Sequence, residues 1–102
     1  LRAFPNPTHS NTEIRVNIPR PASKAGVLGN ANQGEFKGQI EVFDVRGRRV
    51  RTIFDDTLNY GTSQFRWDGR DESGRDVGTG IFFLRASIEN QAPITTKLTR
   101  IK

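Results

Sequence analysis

Polar and apolar positions alternate with a period of two along much of this chain, and no window of about 11 to 18 residues has helical spacing. Residues 13–18 predict a first strand that turns Ile14, Val16 and Ile18 to a core and Glu13, Arg15 and Asn17 to water. Pro19 and Pro21 stop it. Residues 39–45 predict a second strand with Ile40 and Val42 inward. Residues 50–54 are its hairpin partner across a turn at Gly47, where a missing Cβ tolerates positive φ. Ser63, Phe65 and Trp67 alternate in a third strand after Gly61. Asp68-Gly69 and Ser73-Gly74 mark a turn-rich loop, and Gly78-Thr79-Gly80 leads into a strand over 81–88 with Phe82, Leu84, Ala86 and Ile88 on one face. A last strand over 94–101 completes an antiparallel sandwich whose core Trp67, Phe82 and Phe83 are large enough to organise.

Two stretches break the alternation. Residues 19–38 are rich in Gly, Pro, Ala, Ser and Asn, with only Val27, Leu28 and Phe36 to pack, so they predict a long polar insertion between the first and second strands. Residues 1–11 are expected to stand apart as an arm, stiffened where Pro5 and Pro7 hold Asn6 extended.

Length, charge and missing residue types narrow the function. At 102 residues the chain makes one domain, 1–102, large enough to bury about two-thirds of its unfolded surface. Sixteen Lys and Arg against eleven Asp and Glu leave a net charge of +5, which favours acidic partners. The chain has neither Cys nor Met, so thiolate chemistry and a disulfide framework are excluded, and the composition suits export. No apolar run approaches the roughly 18 residues of a membrane span, and the first residues lack the apolar core of a signal peptide. A start at Leu1 suggests a piece of something longer.

Read in order, the landmarks are Phe4-Pro5-Asn6-Pro7, the strand over 14–18, and the run Val42-Phe43-Asp44-Val45-Arg46-Gly47-Arg48-Arg49-Val50-Arg51. Trp67-Asp68-Gly69-Arg70-Asp71, Gly74, Val77, Gly80-Ile81-Phe82-Phe83-Leu84-Arg85-Ala86 and Lys97-Leu98 follow. The series resembles the Ig-like domain related to the flagellar hook-capping protein, and the type A C-terminal sorting domain of type IX secretion. The resemblance implies an all-β, antiparallel Ig-like β-sandwich of six to seven strands. It also implies a non-catalytic module that ends a larger secreted bacterial protein and is recognised by outer-membrane secretion machinery on the way through periplasm and outer membrane to the cell surface. Residues 19–38 depart from the short turn usual there. Two other roles stay open: a structural subunit that self-associates through sheet edges, with residues 1–11 or 19–38 as lent arms, and a carbohydrate-binding appendage of an exported hydrolase that uses Tyr60.

Candidate site residues follow from charge. Asn6 belongs either to a recognition signal or to an extended linker. Arg46, Arg48, Arg49 and Arg51 concentrate positive charge on one hairpin, to be read as solvated charge or as contact with anionic lipopolysaccharide or glycan. Nucleic acid is disfavoured, because no stacking aromatics interleave with these arginines. Lys97, Arg100 and Lys102 resemble the basic finish of sorting domains, and their plain role is to protect an edge strand. Asp68, Asp71, Glu72 and Asp76 are weak calcium candidates, because their spacing fails the EF-hand pattern. His9 is the only histidine and no G-x-S-x-G elbow exists, so no catalytic residue, zinc site or cofactor is expected.

Overall fold

The computed structural model describes residues 1–8, 10–19 and 35–101. Among them are seven strands: β1 (Arg2–Phe4), β2 (Thr12–Ile18), β3 (Phe36–Asp44), β4 (Arg49–Leu58), β5 (Gly61–Trp67), β6 (Gly80–Ile88) and β7 (Ile94–Arg100). They form a three-stranded sheet, β1-β2-β5, and a four-stranded sheet, β4-β3-β6-β7, with every strand pair antiparallel. The antiparallel sandwich expected from alternation, in the Ig-like form that the resemblance implies, is therefore the observed architecture.

The core lies between the sheets, where the apolar phase of each strand meets the other. Ile14, Val16 and Ile18 from β2 and Trp67 from β5 pack against Ile40 and Val42 of β3, Phe82, Leu84 and Ile88 of β6 and Leu98 of β7. Each such side chain contributes about 1.5–3 kcal/mol by leaving water. Trp67 is nearly fully buried and meets Phe82 edge-on at 5.6 Å between ring centroids. Phe83 does not join them. It is one residue out of phase, so it stands on the outer face of the four-stranded sheet, cross-strand from Phe43.

The N-terminal segment is no detached arm. Residues 2–4 pair with β2 in the register Arg2↔Arg15, Ala3↔Ile14 and Phe4↔Glu13. The chain then leaves that sheet through two cis X-Pro bonds, Phe4-Pro5 and Asn6-Pro7, and reaches the edge of the other sheet, where Thr8 makes a parallel bridge to Arg100. A three-residue strand holding one inward Ala is too short for alternation to register.

The polar insertion is shorter than its composition suggests. Phe36, Lys37 and Gly38 already belong to β3, and Gly38 is there because a Cβ would lie 2.5 Å from Leu58 Cδ1. Residues 20–34 of the insertion lie outside the described residues. β4 runs four residues past position 54, to Leu58, and two register shifts bend its pairing with β3 on the side toward the turn.

Candidate functional site

Conspicuous chemistry gathers at one end of the sandwich, where the β3–β4 turn meets the loop over 68–78. The turn is built around Asp44. Its Oδ1 accepts the backbone N–H groups of Arg46 and Arg48, both at 2.9 Å, while Gly47 takes the left-handed conformation at φ +83°. The loop repeats the device around Asp71, whose Oδ1 accepts the Ser73 N–H at 2.9 Å, the Ser73 hydroxyl at 2.6 Å and the Arg75 N–H at 3.0 Å. Glu72 ties the loop to the sheet edge: its N–H donates to Val50 O at 3.1 Å and its Oε1 accepts the Thr52 N–H at 2.7 Å. Between turn and loop lies an open cleft of ≈ 560 Å³, floored by Val50, Val77 and Phe82 and walled by Asp44, Arg48, Arg49, Asp71 and Glu72.

The cleft's polar groups are committed to internal structure. The Arg48 backbone N–H holds the Asp44 carboxyl below the ordinary aspartate value, and the Ser73 hydroxyl does the same for Asp71. Both move away from the raised pKa that a general acid needs. The Ser73 hydroxyl donates to an Asp71 oxygen that already accepts two backbone N–H groups, so the contact closes the loop.

The calcium candidates are likewise occupied. Asp68 takes Arg51 Nη1 and the Arg70 N–H, each at 3.1 Å, and Asp76 takes the Gly78 N–H at 2.7 Å. Among the described residues no group of three or more His, Cys, Asp or Glu could hold a metal ion. A calcium loop needs several carboxylate oxygens free to converge, and these accept from an arginine and from separate backbone N–H groups.

The hairpin arginines are not brought together as a free cationic patch. Arg48 pairs with Asp44 at 3.1 Å, Arg49 with Glu41 at 3.4 Å and Arg51 with Asp68 at 3.1 Å, leaving Arg46 exposed at the tip. Glu41, on the outer face of β3, is only 9% exposed.

The basic finish of β7 divides as well. Lys97 is exposed, and Lys102 lies outside the described residues, as does His9. Arg100 is neither edge protection nor an available cation. It is 4% exposed, its guanidinium lies 5.2 Å from the Trp67 ring, and its Nη1 donates to Ser10 O at 2.6 Å. It also presses on Gly69, where a Cβ would fall within 2.3 Å of Arg100 Nη2 and where φ is +80°. Trp67 Nε1 donates to Arg70 O at 2.9 Å, closing the arrangement. A signal for it was present in the alternation, since Leu98 and Arg100 share a phase.

Asn6 has a definite task. Its Nδ2 donates to Lys97 O at 2.9 Å and its Oδ1 accepts the Thr99 N–H at 3.0 Å, so one side-chain amide imitates a strand on the outer edge of β7. Thr8 extends the cover, donating its N–H to Thr99 O and accepting the Ile101 N–H, both at 2.9 Å. Tyr60 packs edge-on against Phe36 at 5.4 Å between centroids, a half-buried position that gives a sugar ring no open platform.

A small sandwich whose turns, loop and edge consume their own polar groups is a structural scaffold of the Ig-like class. The sequence pattern of the FlgD Ig-like domain matches residues 7–92, and the chain belongs to that family, one of non-enzymatic structural domains. No curated protein matches the chain. Among the described residues no helix is long and apolar enough to cross a membrane.

Proposed function

We propose that this domain is a non-catalytic module at the C-terminal end of a larger exported bacterial protein, addressing it to the outer membrane and cell surface as type A sorting domains of type IX secretion do. The observation that carries the reading is the ordered series of landmarks from Phe4 to Leu98, which resembles those domains over almost the whole chain. The fold is compatible with it: Asn6 straps the incoming chain to β7, so cargo and last strand are mechanically one unit.

The test fuses residues 1–102 behind a signal peptide and a fluorescent cargo in a type IX-competent host. Surface fluorescence that disappears in a secretion-deficient strain is expected. Cargo held in the periplasm of the competent host would sink the reading.

A second reading, self-assembly by strand addition, is favoured by one observation. Among the described residues the cover over the β7 edge reaches residues 97–101, and exposed Ile94 stands at its other end. Light scattering distinguishes the two: assembly requires mass to grow with concentration, and to grow more in Asn6→Ala, which uncovers the rest of the edge.

A further inference from the structure

The outer face of the three-stranded sheet carries a different kind of charge. Arg2 of β1 and Arg15 of β2 are direct cross-strand partners, and Gln64 of β5 continues the row. The next row is Phe4, Glu13 and Arg66, in which Arg66 Nη2 reaches Glu13 Oε1 at 3.2 Å. The Phe4 ring lies 5.0 Å from the Arg15 guanidinium carbon and 6.0 Å from that of Arg2. Among the described residues no carboxylate pairs with Arg2 or Arg15.

Like charges directly opposite one another weaken strand pairing. Here they flank a strand of only three residues, where pairing has little else to offer. An acid group between them reverses the sign, because two guanidinium forks facing one carboxylate exchange repulsion for charge-assisted hydrogen bonds. The surroundings say what bears the acid. Phe4 offers an apolar ring, while Gln64 and Glu13 offer an amide and a carboxylate suited to hydroxyls. A shallow hollow of ≈ 310 Å³ lined by Glu13, Gln64, Phe65 and Arg66 continues the track. A lipid surface would call for several apolar side chains to insert beside the arginines, and these two rows offer Phe4 alone.

We propose that this face binds an acidic polysaccharide, with a sugar carboxylate held between Arg2 and Arg15. The proposal does not rest on the sorting reading, since it concerns the isolated domain in solution.

The test is electrophoresis of the 102-residue chain through gels containing polygalacturonate, or neutral dextran as control. Retardation in polygalacturonate alone, fading as salt rises, is the expected result. Arg2→Gln with Arg15→Gln should weaken the apparent affinity about tenfold or more, the scale of losing charge-assisted hydrogen bonds. The control, Arg46→Gln with Arg75→Gln, removes the same charge elsewhere and should leave affinity nearly unchanged. Thermal unfolding of both double variants checks that each is folded. Equal weakening by the two pairs would mean diffuse attraction to a basic protein, and absence of retardation would mean no site. Either result overturns the proposal. So would equally tight binding to vesicles of anionic phospholipid that is lost in the same Arg2 and Arg15 variant.

Discussion

The end of the sandwich built from the β3–β4 turn and the 68–78 loop holds more charge than the outer face of the three-stranded sheet, yet it has less to offer a partner. At the loop end, Asp44, Glu41 and Asp68 each meet an arginine, and Asp71 and Asp76 close turns on their own backbone. On the sheet face, Arg2 and Arg15 meet each other. Strand register and loop docking bring Glu41 to Arg49 and Asp68 to Arg51, whereas the register of β1 on β2 sets two cations opposite each other. Availability is decided by what is left unpaired in space.

The loop end should break hardest where it is tightest. Gly69→Ala places a Cβ against the Arg100 guanidinium and forces a side chain onto a left-handed residue. Backbone strain and overpacking together should cost about 3 kcal/mol. For a domain of this size that lowers the melting temperature by about 12–24 °C. Thermal unfolding followed by Trp67 fluorescence reads it directly. A loss of under a few degrees would mean that Arg100 moves aside freely and does not lock the loop.

Acid separates the two regions next. Asp44 and Asp71 have folded pKa values below the ordinary carboxylate value, the first chiefly through the Arg48 N–H and the second through the Ser73 hydroxyl. A depressed folded pKa contributes stability that is complete above the unfolded value, about 3.9 for aspartate, and is lost as pH falls through the folded one. Carboxyl NMR titration should find both below that value. Protection of the Arg46, Arg48 and Arg75 amides, relative to their intrinsic exchange rates, should fall below about pH 4, while protection in β1 and β2 changes less. Ordinary midpoints for both carboxyls would remove the distinction.

Much of the fold was legible because alternation is a direct record of a sheet buried on one side. The phases of β2, β5 and β6 place Ile14, Trp67 and Leu84 inward as expected. β1 was not legible, since three residues give no period and its stability comes from pairing with β2. Composition misled at residues 36–38, where Gly38 reads as loop but serves Leu58. Among candidate residues, Arg100 has the charge of an edge cation and the phase of a core position, and in the fold the phase prevails. Stacking on Trp67 and donation to Ser10 O let a guanidinium occupy an inward position. The partners of Arg49 and Arg51 needed register and loop docking, which sequence spacing does not contain.

The smallest expected effect has the opposite sign and separates the regions most cleanly. Replacing Arg2 by Glu turns a like-charged cross-strand pair into an opposite-charged one without touching the core, because Arg2 is exposed. Cross-strand pairs of opposite charge contribute about 0.2–1 kcal/mol, and solvent screening keeps an exposed pair toward the lower part of that range. Arg2→Glu should therefore raise the melting temperature by about one to a few degrees at low salt, and the gain should shrink in high salt. Reversing charge in the already neutralised hairpin, by Arg49→Glu, should lower stability instead, since it sets a carboxylate against Glu41. If both substitutions lower the melting temperature alike, Arg2 is making an attractive contact in the free protein. The face would then already be satisfied, and no anion would be needed to reconcile Arg2 with Arg15.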